Sequence, residues 1–132
     1  MNFLDEFEIR RNINILGIDY DNIGGNKLIH YLFSKLKLNN DSKILEIESK
    51  LGDNLVYLNK LFNSNCIGIE KNLKILNISK KLLKNKKKIQ INSNLKALKF
   101  NNYDFIFYNN ILNKKTNIIN YLDLIYNLLK IN

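Results

Sequence analysis

The chain of 132 residues contains no proline and no tryptophan, and it has a single cysteine, Cys66, and a single histidine, His30. One cysteine excludes an internal disulfide and favours a reducing, intracellular compartment. One Cys and one His exclude a Cys/His zinc site built within the chain, so no metal is expected. No apolar run approaches the roughly 18 uninterrupted residues of a membrane helix, and no membrane partner is expected. The opening MNFLDEFEIRR sets Asp5, Glu6 and Glu8 among its apolar residues. Secretory signals and transit peptides are poor in acids, so no targeting segment is read. Gly/Ser linkers, internal repeats and low-complexity breaks are also missing, and 1–132 reads as one domain.

Hydrophobic residues make up 45% of the chain and aromatics 11%, enough for a real core. The formal net charge is +9. A basic balance of this size suggests an anionic partner, nucleic acid or an acidic protein. Asn, Lys, Ile and Leu are abundant along the whole chain, however, and such a bias would cover any soluble surface with lysine. The densest run, KNKKK at 84–88, reads as a solvated helix end and turn.

Residues 43–48, KILEIE, follow the turn cluster Asn39-Asn40-Asp41-Ser42 and predict a strand. Residues 53–63 place Leu55, Leu58, Leu61 and Phe62 at helical spacing. Residues 66–70, CIGIE, have the length of a buried strand. Residues 72–84 carry Ile75, Ile78, Leu82 and Leu83 on one stripe, with Asn72 as its cap. Residues 88–92 alternate again, 103–108 (YDFIFY) form a β-rich aromatic run, and 117–131 read as an amphipathic helix. A first helix over 27–38 follows Gly24-Gly25. Strands alternating with helices predict an α/β fold with a parallel sheet, and ligand chemistry at the C-terminal edge of its strands.

The segment ILEIESKLG, 44–52, resembles motif I of class I S-adenosylmethionine (SAM) methyltransferases, an apolar strand leading into acid-x-Gly-x-Gly-x-Gly. Glu46 stands at the acid, and Glu48, Lys50 and Gly52 stand at the three glycines. Glu70 ends the second strand, where the family keeps an acid for the ribose hydroxyls. YDFIFY is similar to the family's fourth strand, and DYDNIGGNKLIHYLF, 19–33, resembles the tyrosine and Gly-Gly segment ahead of the first helix in phosphoethanolamine N-methyltransferases. The resemblance implies a Rossmann-like sheet in the order 3-2-1-4, the N-terminal half of a seven-stranded fold. It implies Glu46, Gly52, Glu70 and Tyr20 as remnants of a SAM site. It also implies that the fourth strand, at 103–108, is an apolar edge that pairs with a protein partner or a second copy.

The departures are as informative. Glycines let the motif I backbone approach its ligand and adopt positive φ without strain, whereas Glu48 and Lys50 bring side chains expected to block or deform the pocket. The acid that contacts the adenine amine falls in Asn92-Ser93-Asn94-Leu95, which has none. The tyrosine used by the phosphobase enzymes falls at Phe3, and their histidine at Asn113 or Lys114, so no catalytic residue carries over. The pair Glu46 and Glu48, two apart, reads as one face of a strand end. His30 reads as a packed or surface residue. Three functions compete. The first is a non-catalytic, methyltransferase-like structural or interaction subunit that binds SAM weakly or not at all. The second is an active SAM-dependent phosphobase N-methyltransferase, and the third a basic, RNA-associated subunit whose footprint is the lysines of 80–88.

Overall fold

The computed structural model describes residues 25–99, 102–108 and 118–129. The chain divides into two compact units, Met1–Lys37 and Leu38–Asn132. In the first, helix α1 (Gly25–Ser34) buries Ile29 and Phe33, four residues apart on one stripe. The helix stops short of residue 38. The Leu36 N–H turns back to the Phe33 carbonyl, and the Ser34 hydroxyl donates to the Tyr31 carbonyl.

The second unit holds β1 (Lys43–Ile47), α2 (Asp53–Phe62), β2 (Asn65–Ile69), α3 (Leu73–Leu82), β3 (Ile89–Asn92), a 3₁₀ turn (Leu95–Ala97), β4 (Phe105–Tyr108) and α4 (Ile118–Leu128). All pairings are parallel, as the alternation of strands and helices predicts, and the sheet order is β3-β2-β1-β4, as the family resemblance implies. Each crossover carries the chain over a face of the sheet, so β1 is flanked by β2 on one side and β4 on the other.

In-register neighbours point the same way, which sorts the residues into two faces. One face presents Leu45, Ile47 and Ile69, which form a core with Leu95, Tyr103 and Leu128; Leu124 and Ile125 of α4 pack on it. The other presents Ile44, Glu46, Cys66, Gly68, Ile89 and Ile91 beneath α2 and α3, with Leu55, Leu58, Leu76 and Ile78 buried. Gly68 is required by this packing. A Cβ there would stand 2.4 Å from Ser49 Oγ and 2.8 Å from Leu55 Cδ1. All four residues of β4 are half-buried.

Several ends have clear causes. Asn72 caps α3 as expected, its Oδ1 accepting from Lys74 N at 3.0 Å and Ile75 N at 3.4 Å. Asn63 closes α2 in the left-handed region. Asp104 fastens β4 to the start of β1: its Oδ2 accepts from Lys43 N at 2.7 Å, and its own N–H donates to the Lys43 carbonyl at 2.9 Å. α4 ends at Leu128, short of residue 131, because the chain there turns onto β4. Asn102 N and Tyr103 N both donate to the Leu128 carbonyl, and Leu129 forms a parallel bridge with Tyr103.

Candidate functional site

The loop 48–52 leaves the C-terminal end of β1 and enters α2. In a sheet ordered β3-β2-β1-β4 the strand order reverses between β1 and β4, and open α/β sheets take their ligands in the crevice at such a point. The backbone of the loop follows a regular pattern. Glu48, Lys50 and Gly52 have φ of 59°, 50° and 87°, each in the left-handed region. An L-residue pays roughly 1–2 kcal/mol for that conformation, and glycine does not. The loop thus keeps a glycine-like backbone at the three positions while two of them carry large side chains. Ser49 N–H donates to the Ile69 carbonyl at 2.9 Å and Gly52 N–H to the Ser49 carbonyl at 2.8 Å, and these bonds hold the turn in shape.

The side chains around this turn are engaged. Glu48 Oε1 accepts the Tyr108 hydroxyl at 2.9 Å. Tyr108 ends β4 in register with Ile47, so the bond joins the C-terminal ends of β1 and β4. Glu46 is wholly buried on the α2 face, where its Oε1 accepts from Asn54 Nδ2 at 2.6 Å. The two glutamates therefore do not share a strand face: β1 ends at Ile47, and the left-handed turn at Glu48 sends its side chain towards β4. Glu70 is also buried. Its Oε2 accepts from Lys50 N at 3.0 Å and its Oε1 from Asn72 N at 2.6 Å, so it ties the loop to the start of α3. Ser49 Oγ is buried against Gly68 without a hydrogen-bond partner among the described residues. Burial, and then the nearby Glu46 charge, push the Cys66 thiol up to about 12.

The structure thus brings Glu46, Gly52 and Glu70 to one end of the sheet. Tyr20, Phe3, Asn113 and Lys114 lie outside the described residues. His30 is exposed on α1. Leu95, in the stretch that resembles the family's adenine-contacting segment, is buried in the core. Sequence reasoning missed Asn54 and Tyr108. Asn54 had a usable signal, a polar residue in the first turn of a helix that packs over Glu46; Tyr108 reads only as the end of an aromatic run. Among the described residues no cluster of His, Cys, Asp and Glu could hold a metal ion, and no helix is long and apolar enough to cross a membrane.

Comparison with known proteins agrees with this architecture. The chain is 30% identical over 96 residues to phosphoethanolamine N-methyltransferase of Plasmodium falciparum, a match that covers 70% of this chain and 36% of that protein. Its fold superposes on phosphoethanolamine N-methyltransferase 2 of Haemonchus contortus, solved in complex with SAM, with a TM-score of 0.75 at 18% identity, over 92% of this chain and 30% of that one. This is a class I SAM methyltransferase fold. A SAM-dependent methyltransferase of Aquifex aeolicus also matches the fold, with a TM-score of 0.67 at 16% identity over 77% of this chain and 58% of that one. The chain spans about a third of the length of the Plasmodium and Haemonchus enzymes. No family model matches it. Within the methyltransferase fold, Glu48 and Lys50 set large side chains at two of the motif I glycine positions, on a backbone with left-handed φ.

Proposed function

We propose that this methyltransferase-like domain is non-catalytic, holds SAM weakly or not at all, and acts as a structural or interaction subunit for a protein partner. The observation that carries the reading is the Glu48–Tyr108 hydrogen bond, which holds a carboxylate at the C-terminal ends of β1 and β4, the end of the sheet at which open α/β folds take their ligands. Two further features support it. Both oxygens of Glu70 already accept backbone N–H groups, and a leucine occupies the place of an adenine-contacting acid. The resemblance to phosphobase enzymes adds that their tyrosine and histidine fall at Phe3 and at Asn113 or Lys114.

A second reading, an active SAM-dependent phosphobase N-methyltransferase, is favoured by one observation: the loop keeps left-handed φ at all three glycine positions. Two measurements separate the readings. Calorimetric titration with SAM is expected to give no binding tighter than about 10 μM, some −7 kcal/mol. Incubation with radiolabelled SAM and phosphoethanolamine is expected to give no methyl transfer above a no-protein blank. Turnover would establish the second reading, and binding at or below that concentration would by itself overturn the first.

A further inference from the structure

The two edges of the sheet are not alike. The segment just ahead of β4 is bridged, Tyr103 to Leu129. β3, at the opposite end of the order, is framed by lysine. In a parallel ladder, successive residues turn their N–H and C=O groups to opposite sides. The Lys88 and Asn92 carbonyls accept from Cys66 N and Glu70 N at 2.8 and 2.9 Å, so Ile89 and Ile91 turn their groups away from β2. The Ile89 N–H is taken by the Lys86 carbonyl at 3.1 Å. The Ile89 carbonyl and both backbone groups of Ile91 then form the outer edge, a template for an added strand.

Clefts of about 430 and 400 Å³ lie on the two faces of this edge and meet at Lys87 and Gln90. Lys80, Lys84 and Lys86 line the one beside α3; Lys43, Lys88 and Lys99 line the other. Lys43 and Lys88 are held by hydrogen bonds to Asn102 Oδ1 and to the Asn63 carbonyl, at 2.6 and 2.8 Å. Lys80, Lys84, Lys86, Lys87 and Lys99 are exposed and make no ion pair among the described residues. An added strand alternates its side chains between the two faces, so each successive side chain meets a lysine-lined cleft.

The geometry points to β3 as the docking edge for an extended acidic segment of a protein partner, bonded through its backbone to Ile89 and Ile91 with its carboxylates alternating between the two clefts. This rests on the reading of the chain as an interaction domain and names the chemistry of its partner. Charge decides the occupant. A second copy would bring its own lysines against these, and like charge along an edge repels such pairing. Among the described residues neither cleft is lined by an aromatic side chain on which a nucleic-acid base could stack.

The test is fluorescence anisotropy on the full chain with a labelled peptide carrying a central run of about six glutamates, the length of an average strand. A control peptide is N-methylated at alternate backbone nitrogens, and a single-stranded oligonucleotide of equal charge competes. Saturable binding is expected, weakened about tenfold or more by N-methylation and about tenfold by Lys87→Glu, an exposed turn substitution. Equal binding of the methylated peptide would reduce the contact to charge alone and overturn the proposal. So would tighter binding of the oligonucleotide, or no peptide binding at all. A chain that binds neither peptide nor SAM loses only this edge; a chain that binds SAM loses the underlying reading whatever the peptide does.

Discussion

The Tyr108 hydroxyl donates to Glu48 Oε1 at 2.9 Å across 60 residues of sequence, and joins the last residue of β4 to the first residue of the motif I loop. Both groups are half-buried, so the bond contributes about 1 kcal/mol net. Tyr108→Phe keeps the ring and removes the donor. It is expected to lower the unfolding free energy in urea by about that amount in the wild type and by nearly nothing in a Glu48→Gly background. Equal losses in both backgrounds would mean that the two side chains do not interact in solution.

Lys50 has φ of 50° and Glu48 has φ of 59°. Replacing either with glycine removes roughly 1–2 kcal/mol of backbone strain and gives back about 0.5–1 kcal/mol of unfolded-chain entropy. Lys50→Gly is therefore expected to stabilise the fold by about 0.5–1 kcal/mol. Glu48→Gly also loses the Tyr108 bond and is expected to be near neutral. Denaturant midpoints of the two variants report the difference; destabilisation by Lys50→Gly would show that its backbone is not left-handed in solution.

Gly68→Ala tests the packing under α2. Its Cβ would fall 2.4 Å from Ser49 Oγ and 2.7 Å from Ser49 Cβ, so the loop must shift away from β2. A loss of about 1–3 kcal/mol is expected by chemical denaturation, the usual range for overpacking a core. A neutral substitution would place Ser49 elsewhere.

Cys66 supplies a pH dependence. Its folded pKa lies at about 12 against an ordinary 9.0, because burial disfavours the thiolate. Between these values the unfolded chain has lost a proton that the folded chain keeps, so stability falls as pH rises from 9.0 towards 12. Cys66→Ala lacks this step. The stability difference between wild type and variant is expected to be constant below pH 9.0 and to shrink above it. A difference that stays flat up to pH 11 or so would contradict the buried-thiol assignment.

Much of the fold was legible in the residues themselves. Alternation in KILEIE and KIQIN and the short apolar run CIGIE placed three parallel strands within a residue or two, and Asn72 marked the start of α3. The parts that were not legible are those settled by distant partners or against local preference. Nothing at Glu48 or Lys50 announces a left-handed backbone, since such residues rarely adopt it. The contrast between buried Glu46 and half-exposed Glu48 depends on where β1 stops and on Asn54 arriving from α2. Asp104 was recognised as part of a family pattern, but its physical task, capping the start of β1, needs the β1–β4 pairing. The end of α4 at Leu128 likewise follows from the bridge to Tyr103 and not from any helix-stop residue.

The measurement that bears most directly on the account is a pair of calorimetric titrations with SAM, one on the wild type and one on the Glu48→Gly/Lys50→Gly double variant. If the side chains of the loop close a site whose backbone is still correctly shaped, the wild type binds no tighter than about 10 μM and the double variant gains about tenfold or more in affinity. Wild-type binding below that concentration, left unchanged by the double substitution, would contradict it and return the chain to the SAM-binding methyltransferases.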